Sequence, residues 1–492
     1  MKKLKFLNTQ IVKYFVFSLA FILLISCEDF ERDFANERYL TESHATAISS
    51  AGGTVGLKAL DGAILSYLRD GEAGVTHFGI KGVDLGMDLR SGDMDMSANT
   101  HFGRYNNYSN VVANSADTEF IWKFFYKVIN NANSIINTIP DDSPQATLNF
   151  KYKSYTYRAI AYFYLIRIYQ HTTAADNTIA IPIDFGDFVG QPNSTVGAVK
   201  ALILQDLNLA YNGLKNYSRA SNEEIDASVV AAYLARYHLT YKNWAEAERY
   251  ADIAMNTGSI SSGVSDGFDD LALSEVLWGA NVTESTSEVY SSFFSHSSQI
   301  NDGYSGWNHI KTVNSNLFNL IPITDKRRKW FAEQNYADGV IIVPGTWAHY
   351  DVTPKYTSLK FISDGGPGVF TGDYIYLRNT EFYLTKAEAL ARQGKDSEAR
   401  QVLFNLNTRR DPSYSLSTRS GTSLIDEILL YRRIELWGDG VASFDMARNG
   451  LGLNRKDGRE NPIMPGADLV IPALDARMIF QIPLAEVDAA KK

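Results

Sequence analysis

The chain has 492 residues, of which 45% are hydrophobic and 21% are charged, and this composition is typical of a globular protein with a large core. Its formal net charge of −9 argues against a nucleic-acid-binding surface. The sequence contains one cysteine, which excludes a disulfide framework.

Residues 1–26 have the pattern of a secretory signal. A lysine-rich start precedes the apolar run Phe15–Ile25, which is too short for a typical membrane span. Ser26 and Cys27 follow this run, and residues 24–27 form a loose lipobox. We predict cleavage before Cys27 and lipidation of that cysteine. The alternative is an ordinary signal peptide with an incidental cysteine.

Apolar residues recur at helical spacing in several segments after the signal. The stretch 151–169 is apolar on nearly every side, which is typical of a buried helix. The helices predicted from these stripes span residues 57–68, 121–139, 151–169, 196–214 and 423–437.

Two further segments, 226–258 and 378–410, each predict a pair of short helices joined by a tight turn. Alanines lie between the apolar stripes, and Gly394 ends the first helix of the second pair, since glycine accepts the left-handed conformation. Such helical hairpins of tetratricopeptide type cannot bury both faces alone and need neighbours to stack on. The two segments together form an imperfect internal repeat.

The regions at about 70–110 and 259–377 are rich in Gly, Ser and Asn and have little periodicity. We predict long irregular loops there, with β-like runs at Val340–Val343 and Lys360–Ile362. Long loops in a compact domain are usually functional. The predicted fold class is therefore mainly α, with tetratricopeptide-like hairpins, long irregular loops and a few short strands.

Beyond the lipobox, three different motifs follow one another along the chain. The first is an RA-x-x-YF pattern with a later proline, the second an R-x-x-E-x-x-L-x-x-AEA pattern, and the third an RRIEL pattern followed by Gly and FD-x-x-R. Their residues are Arg158-Ala159, Tyr162-Phe163, Tyr169 and Pro182, then Arg378, Glu381, Leu384 and Ala387-Glu388-Ala389, then Arg432–Leu436, Gly440, Phe444-Asp445 and Arg448.

With the lipobox, these motifs resemble the SusD/RagB family of outer-membrane lipoproteins of Bacteroidetes, over nearly the whole chain. The resemblance implies a single SusD-like α-superhelical domain over residues 27–492, with its scaffold at about 115–258 and 378–448. It implies binding of glycans, or in some members peptides, at the cell surface. It also implies a lipid anchor in the outer membrane and a SusC-like TonB-dependent transporter as partner.

Sugar binding needs flat aromatic faces and convergent amide, carboxylate or guanidinium groups for hydroxyls. In the first irregular region the candidates for ligand binding are Asp88, Arg90, Phe102, Tyr105 and Asn106. The family's ligand residues come from comparable regions, so the resemblance supports the region rather than single positions. The alternative is that Phe102 and Tyr105 only pack loops onto the helices.

In the second irregular region the candidates for ligand binding are Tyr290, Tyr304, Trp307, Asn308 and His309. Trp307 has glycine and polar neighbours, which a buried tryptophan seldom has. The tryptophans on helical stripes, in contrast, are expected in the core.

The sequence offers little evidence for a metal or for catalysis. Asp93 and Asp95 begin an alternate-position calcium pattern, but Ala98 and Arg104 stand where an EF-hand has Gly and Glu, so a solvated acidic loop is expected. We predict no metal site, no cofactor and no catalytic residues. The charged residues of the third motif are expected to form a buried salt-bridge network.

Four functions remain open from the sequence. The first is capture of oligosaccharides for import, and the second keeps the same architecture with a peptide ligand. The third is a glycoside hydrolase, whose paired carboxylates need not be close in sequence. The fourth is a scaffold that binds only protein partners.

Overall fold

We describe the protein from a computed structural model. The residues that the structure describes are 53–96, 100–185, 192–255, 258–261, 267–299, 301, 303–306, 309–337, 352–363, 368–456 and 470–489. The signal segment with Cys27, the run Val340–Val343, Trp307 and Asn308 lie outside these residues.

The described residues are mainly helical, as predicted. The first eight helices are α1 (Thr54–Asp70), α2 (Gly79–Leu89), α3 (Gly103–Asn106), α4 (Ala116–Thr138), α5 (Gln145–Tyr169), α6 (Val196–Gly213), α7 (Ala227–Thr240) and α8 (Trp244–Met255). The later ones are α9 (Phe293–Ser297), α10 (Ser315–Asn319), α11 (Asn379–Arg392), α12 (Asp396–Arg410), α13 (Thr422–Glu435), α14 (Ala442–Arg448) and α15 (Leu484–Ala489), with short 3₁₀ helices at Lys326–Trp330 and Ala476–Met478. None of the described helices has the length and apolar character that crossing a membrane requires.

The long helices stack in series. Helix α4 packs on α5, α5 on α6, α6 on α7, α7 on α8, and α8 on α11, which also contacts α12 and α13. The two predicted hairpins, α7–α8 and α11–α12, therefore pack directly on each other through α8 and α11. This arrangement confirms that each hairpin buries its second face on a neighbour.

Small side chains make that contact close. Ala247 and Ala251 on α8 and Ala387 on α11 are fully buried. Gly394 has a φ of +75°, and the Lys395 N–H donates to the Leu390 carbonyl at 3.0 Å, so the first helix of this hairpin ends as predicted. A side chain with a Cβ would be strained at residue 394.

Five antiparallel strand pairs are present among the described residues. The pairs are β1 (Met94–Met96) with β5 (Lys311–Val313), β2 (Ile179–Pro182) with β3 (Asn193–Thr195), β4 (Val276–Ala280) with β8 (Tyr374–Arg378), β6 (Tyr336–Ala337) with β7 (Val352–Thr353), and β9 (Leu453–Asn454) with β10 (Val470–Ile471). The first pair joins the two regions that were predicted to be irregular, with Asp95 opposite Thr312.

The prediction that residues 70–110 form only loops is wrong. Helix α2 crosses this region, and all eleven of its residues are buried. Its sequence has three glycines and two aspartates in eleven residues, a composition that favours a loop over a helix. The predicted strand at Lys360–Ile362 is also wrong, since these residues have no regular structure.

The predicted buried salt-bridge network is present and larger than expected. The Glu435 carboxylate accepts hydrogen bonds from the guanidinium groups of Arg327, Arg378 and Arg410 at 2.9 to 3.1 Å. These guanidinium groups lower the pKa of Glu435, although burial acts in the opposite direction. The network ties α13 to α12, to strand β8 and to the 3₁₀ helix at Lys326–Trp330.

Candidate functional site

The β1–β5 pair brings the chain just after β1 against the segment just before β5. Three side chains from these two parts meet here, His101, Tyr304 and His309, and Tyr290, which precedes α9, joins them. We call these four side chains the histidine–tyrosine patch. The His101 and Tyr304 ring centroids are 4.9 Å apart, and Tyr304 lies 5.6 Å from His309 and 6.1 Å from Tyr290. The patch therefore joins both predicted ligand regions on one surface.

The patch is accessible to a ligand. Tyr290 is 43% exposed, and the other three side chains are half-buried. His101 has a φ of +52°, in the left-handed region that non-glycine residues seldom occupy. Such strain is found most often at functional positions, where the surrounding structure holds the residue in place.

His296 lies beneath the patch and fixes the orientation of Tyr304. It is fully buried, and its ring stacks on Tyr304 with centroids 4.8 Å apart and planes 12° apart. Its Nε2 lies 2.9 Å from the Val75 carbonyl, which can only accept, so Nε2 carries the proton. One face of the Tyr304 ring is thus held against a rigid imidazole.

The patch is uncharged at neutral pH. Burial, reinforced by the charge of Lys311, lowers the pKa of His309 to about 4. Burial lowers the pKa of His101 as well, with a smaller effect from Arg104. Neutral imidazoles and phenols offer flat apolar faces and hydrogen-bonding edges together, which suits a ligand that carries hydroxyls and C–H groups.

A polar pocket of about 490 Å³ shares a loop with the patch. Its lining includes Tyr67, Asp70, Glu72, Lys127 and Glu288, and we call it the acidic pocket. The Tyr67 hydroxyl donates to the Glu72 carboxylate at 2.5 Å, and Lys127 Nζ lies 3.4 Å from the same carboxylate and 4.5 Å from the Tyr67 ring centroid. Asp70 is paired with Arg69 at 2.6 Å and Glu72 with Lys127, so the lining carries only a small negative charge. Its carboxylate oxygens can accept hydrogen bonds from hydroxyl groups.

The chain itself connects the pocket with the patch. Glu288 and Ser291 line the pocket, and Tyr290 of the patch lies between them. Sequence reasoning did not select Glu72 or Asp70, although both lie in the first region that was expected to face a ligand. Their acidic character at the end of α1, next to Gly71 and Gly74, was the signal that could have found them.

The first predicted cluster lies in the interior rather than on the surface. Phe102 and Tyr105 have no exposed area, and their rings pack on each other with centroids 5.7 Å apart. Phe102 also contacts His296 at 5.0 Å between centroids. These rings support the patch from below, so the expectation that they form an exposed platform is corrected.

The polar residues of the first predicted cluster form hydrogen bonds with the protein backbone. The Asp88 carboxylate accepts hydrogen bonds from the Gly440 and Ala442 N–H groups at 2.8 and 3.0 Å, and burial raises its pKa to about 7. Arg90 donates to the Arg477 carbonyl at 2.7 Å, and the amide of Asn106 donates to the Leu89 carbonyl at 3.1 Å. A polar side chain can be buried when the backbone satisfies it, and sequence patterns do not show this.

In the second predicted cluster, Tyr290, Tyr304 and His309 come together in the patch. Asp93 and Asp95, the start of the calcium pattern, are buried and bonded to Arg433 and Asn314. The expected solvated loop is therefore wrong for these two residues. Among the described residues no group of acidic, histidine or cysteine side chains could hold a metal ion.

Comparison with known proteins shows what the sequence and the fold are similar to. The sequence model of the SusD family matches residues 350–478. The fold is similar to that of a SusD-like carbohydrate binding protein from Bacteroides vulgatus, with a TM-score of 0.77, 22% sequence identity, and coverage of 89% of this chain and 97% of that chain. No curated protein matches the sequence.

Two further solved structures share the fold. A SusD superfamily protein from Bacteroides thetaiotaomicron has a TM-score of 0.72 and 23% identity, with coverage of 92% of this chain and 98% of that chain. A SusD superfamily protein from Bacteroides fragilis has a TM-score of 0.72 and 17% identity, with coverage of 89% of this chain and 98% of that chain.

Proposed function

We propose that the chain, a SusD/RagB family protein, binds neutral oligosaccharides at the cell surface and does not cleave them. The ligand lies across the histidine–tyrosine patch and extends its hydroxyls toward the acidic pocket. The observation that carries this proposal is the Tyr304 ring, stacked on buried His296 and part of a surface with exposed Tyr290.

The chemistry of the two surfaces supports a neutral glycan. The flat rings of the patch match the C–H faces of a pyranose, and they are uncharged at neutral pH because burial lowers the pKa of His101 and His309. The carboxylates of the pocket accept hydrogen bonds from sugar hydroxyls. An anionic glycan would meet the Glu288 carboxylate beside the already paired carboxylates of Asp70 and Glu72, so we expect it to bind more weakly than a neutral glycan.

We also propose that the protein binds its ligand at the outer membrane. Cleavage before Cys27 and lipidation of its thiol anchor the protein in the outer membrane, exposed at the cell surface. A SusC-like TonB-dependent transporter then receives the captured oligosaccharide. Replacement of Cys27 by Ser is expected to make the protein extractable from the membrane fraction by high salt, which should not remove the acylated wild type. Mass spectrometry of the wild-type N-terminus should show an acylated cysteine.

Calorimetric titration tests the binding site. We would titrate residues 28–492 with neutral, anionic and amino glycans and with a peptide digest. Tyr304→Ala should weaken binding of the neutral glycan by roughly tenfold or more, equivalent to about 1.4 kcal/mol. Tyr211→Ala is the matched control, because this half-buried tyrosine lies on α6 and contributes nothing to the patch.

Each outcome separates the alternatives. Equal affinity of the Tyr304 and Tyr211 variants for a bound glycan would place the site elsewhere. Binding of the peptide digest alone would replace the glycan by a peptide ligand. Release of free sugar during titration would contradict a function limited to binding.

A further inference from the structure

A second surface, formed by two loops in contact, carries exposed apolar side chains. Leu320 and Ile323 follow α10 and are 53% and 80% exposed, and Leu416 follows α12 and is 49% exposed. The Thr324 and Ser413 hydroxyls are 2.6 Å apart, so the two loops touch. Single exposed apolar residues are ordinary, but three of them on adjoining loops call for a partner.

Cations border these apolar side chains. Lys326 and Lys329 follow Ile323 directly on the 3₁₀ helix, and Arg409 lies at the end of α12, where its carbonyl accepts from Lys326 Nζ at 3.4 Å. The acidic groups nearest in sequence have other contacts, since Asp325 binds buried Arg327 at 2.7 Å. We call this surface, with Leu320, Ile323, Leu416, Lys326, Lys329 and Arg409, the basic–apolar face.

The loop that carries Ile323 is held in place. The Asp325 carboxylate accepts from the Arg327 N–H at 2.9 Å, and Arg327 reaches the buried Glu435 carboxylate at 3.1 Å. Arg328 donates to the Ile321 carbonyl at 2.9 Å. Ile323 therefore projects from a loop whose conformation is fixed on both sides, and its exposure is not that of a frayed end.

We propose that the basic–apolar face lies against a membrane surface with anionic headgroups. The apolar side chains enter the boundary between headgroups and acyl chains, while the ammonium and guanidinium groups meet the lipid phosphates. The complementarity of charge is local, since the chain as a whole carries a net charge of −9 and would be repelled by the same surface. This contact does not depend on glycan binding at the patch.

Vesicle flotation tests the proposal with residues 28–492, which lack Cys27 and so cannot carry the lipid anchor. The vesicles contain phosphatidylcholine alone or phosphatidylcholine mixed with phosphatidylglycerol. We expect flotation with the mixed vesicles only, and a decrease with added salt. Since each exposed cation contributes roughly fivefold to binding at an anionic surface, reversing the charge of Lys329 and Arg409 together, both of which are exposed, should lower partitioning by about 25-fold or more.

The apolar part is tested with Ile323→Ser, for which Leu474→Ser is the control, because Leu474 is 68% exposed and lies outside the face. The charge control is Lys58→Glu with Lys215→Glu, which are exposed lysines elsewhere. The proposal is supported if flotation decreases for the variants of the basic–apolar face and is unchanged for both controls. Equal flotation of all variants, or no flotation with anionic vesicles, would overturn it, and in the second case a protein partner becomes the occupant to test.

Discussion

Replacement of Lys311 by Met should stabilise the protein at neutral pH, because this lysine is buried directly beneath the patch. It is 1% exposed, and its Nζ donates to the His309 carbonyl at 2.8 Å. The Phe102 ring centroid lies 5.8 Å away. Burial lowers the pKa of Lys311 from 10.5 to about 7. Between these two pKa values, Lys311 is therefore largely deprotonated in the folded state and still protonated in the unfolded state.

The sign and size of the effect follow from this pKa difference. Below about pH 7 both states hold the proton and the full cost of burying the charge is present, on the order of 5 kcal/mol at about 1.4 kcal/mol per pKa unit. Between the folded and unfolded pKa values the unfolded state binds more protons, so stability rises with pH. From about pH 7.5 to about pH 9 the wild-type protein should recover about 2 kcal/mol that a Lys311→Met variant never loses.

Denaturant unfolding of both proteins across this pH range measures the difference. The stability advantage of Lys311→Met should be largest near neutral pH and should shrink by about 2 kcal/mol toward pH 9. Lys123→Met is the control, since Lys123 is exposed and paired with Glu119 at 2.5 Å, and it should show no such narrowing. A pH-independent difference for Lys311→Met, or a loss of stability at every pH, would refute the reasoning.

Three further predictions concern the network, a turn and the patch. Glu435→Gln removes the carboxylate that three buried guanidinium groups share, so the carboxylates that remain, such as Asp325 and Glu275, no longer balance the buried positive charge, and it should cost about 3–5 kcal/mol in denaturant unfolding. Gly440 has a φ of +84°, and a Cβ there would lie 2.4 Å from the Asp84 Cβ, so Gly440→Ala should lower the thermal midpoint with a cost of about 1–3 kcal/mol. His296→Leu removes the ring stacked on Tyr304 and should weaken glycan binding in calorimetry by roughly fivefold while the far-ultraviolet circular dichroism stays unchanged.

The scaffold was predictable because its signals are local. Helix α4 carries apolar side chains at helical spacing, α5 is a long segment that is apolar on nearly every side, and the hairpin α11–α12 shows its alanines and Gly394. Helix α2 escaped prediction because three glycines and two aspartates in eleven residues give it the composition of a loop. Its charged residues are satisfied by distant groups, such as the Tyr164 hydroxyl that donates to Asp84 at 2.8 Å, and no local pattern records such a contact.

The site was predictable as a region and not as a set of side chains. Tyr290, Tyr304 and His309 were selected because aromatic and polar residues gathered in an irregular stretch, and the structure brings them together. His101 and His296 were missed because scattered histidines show no spacing that would connect them. They meet only because β1 pairs with β5, which is a contact between residues more than 200 positions apart.

The position of the patch depends on the third sequence motif through Asp93. The backbone carbonyl of Asp93 accepts from the Trp437 indole at 2.9 Å and from the Asn314 N–H at 2.9 Å, and its carboxylate pairs with Arg433. Asp93 thus holds the end of α13 and the end of β5 at one point next to β1. Because β5 begins two residues after His309, the motif residues fix the scaffold at the place where the histidine–tyrosine patch begins. The motif and the patch are therefore mechanically connected, although no motif residue belongs to the patch.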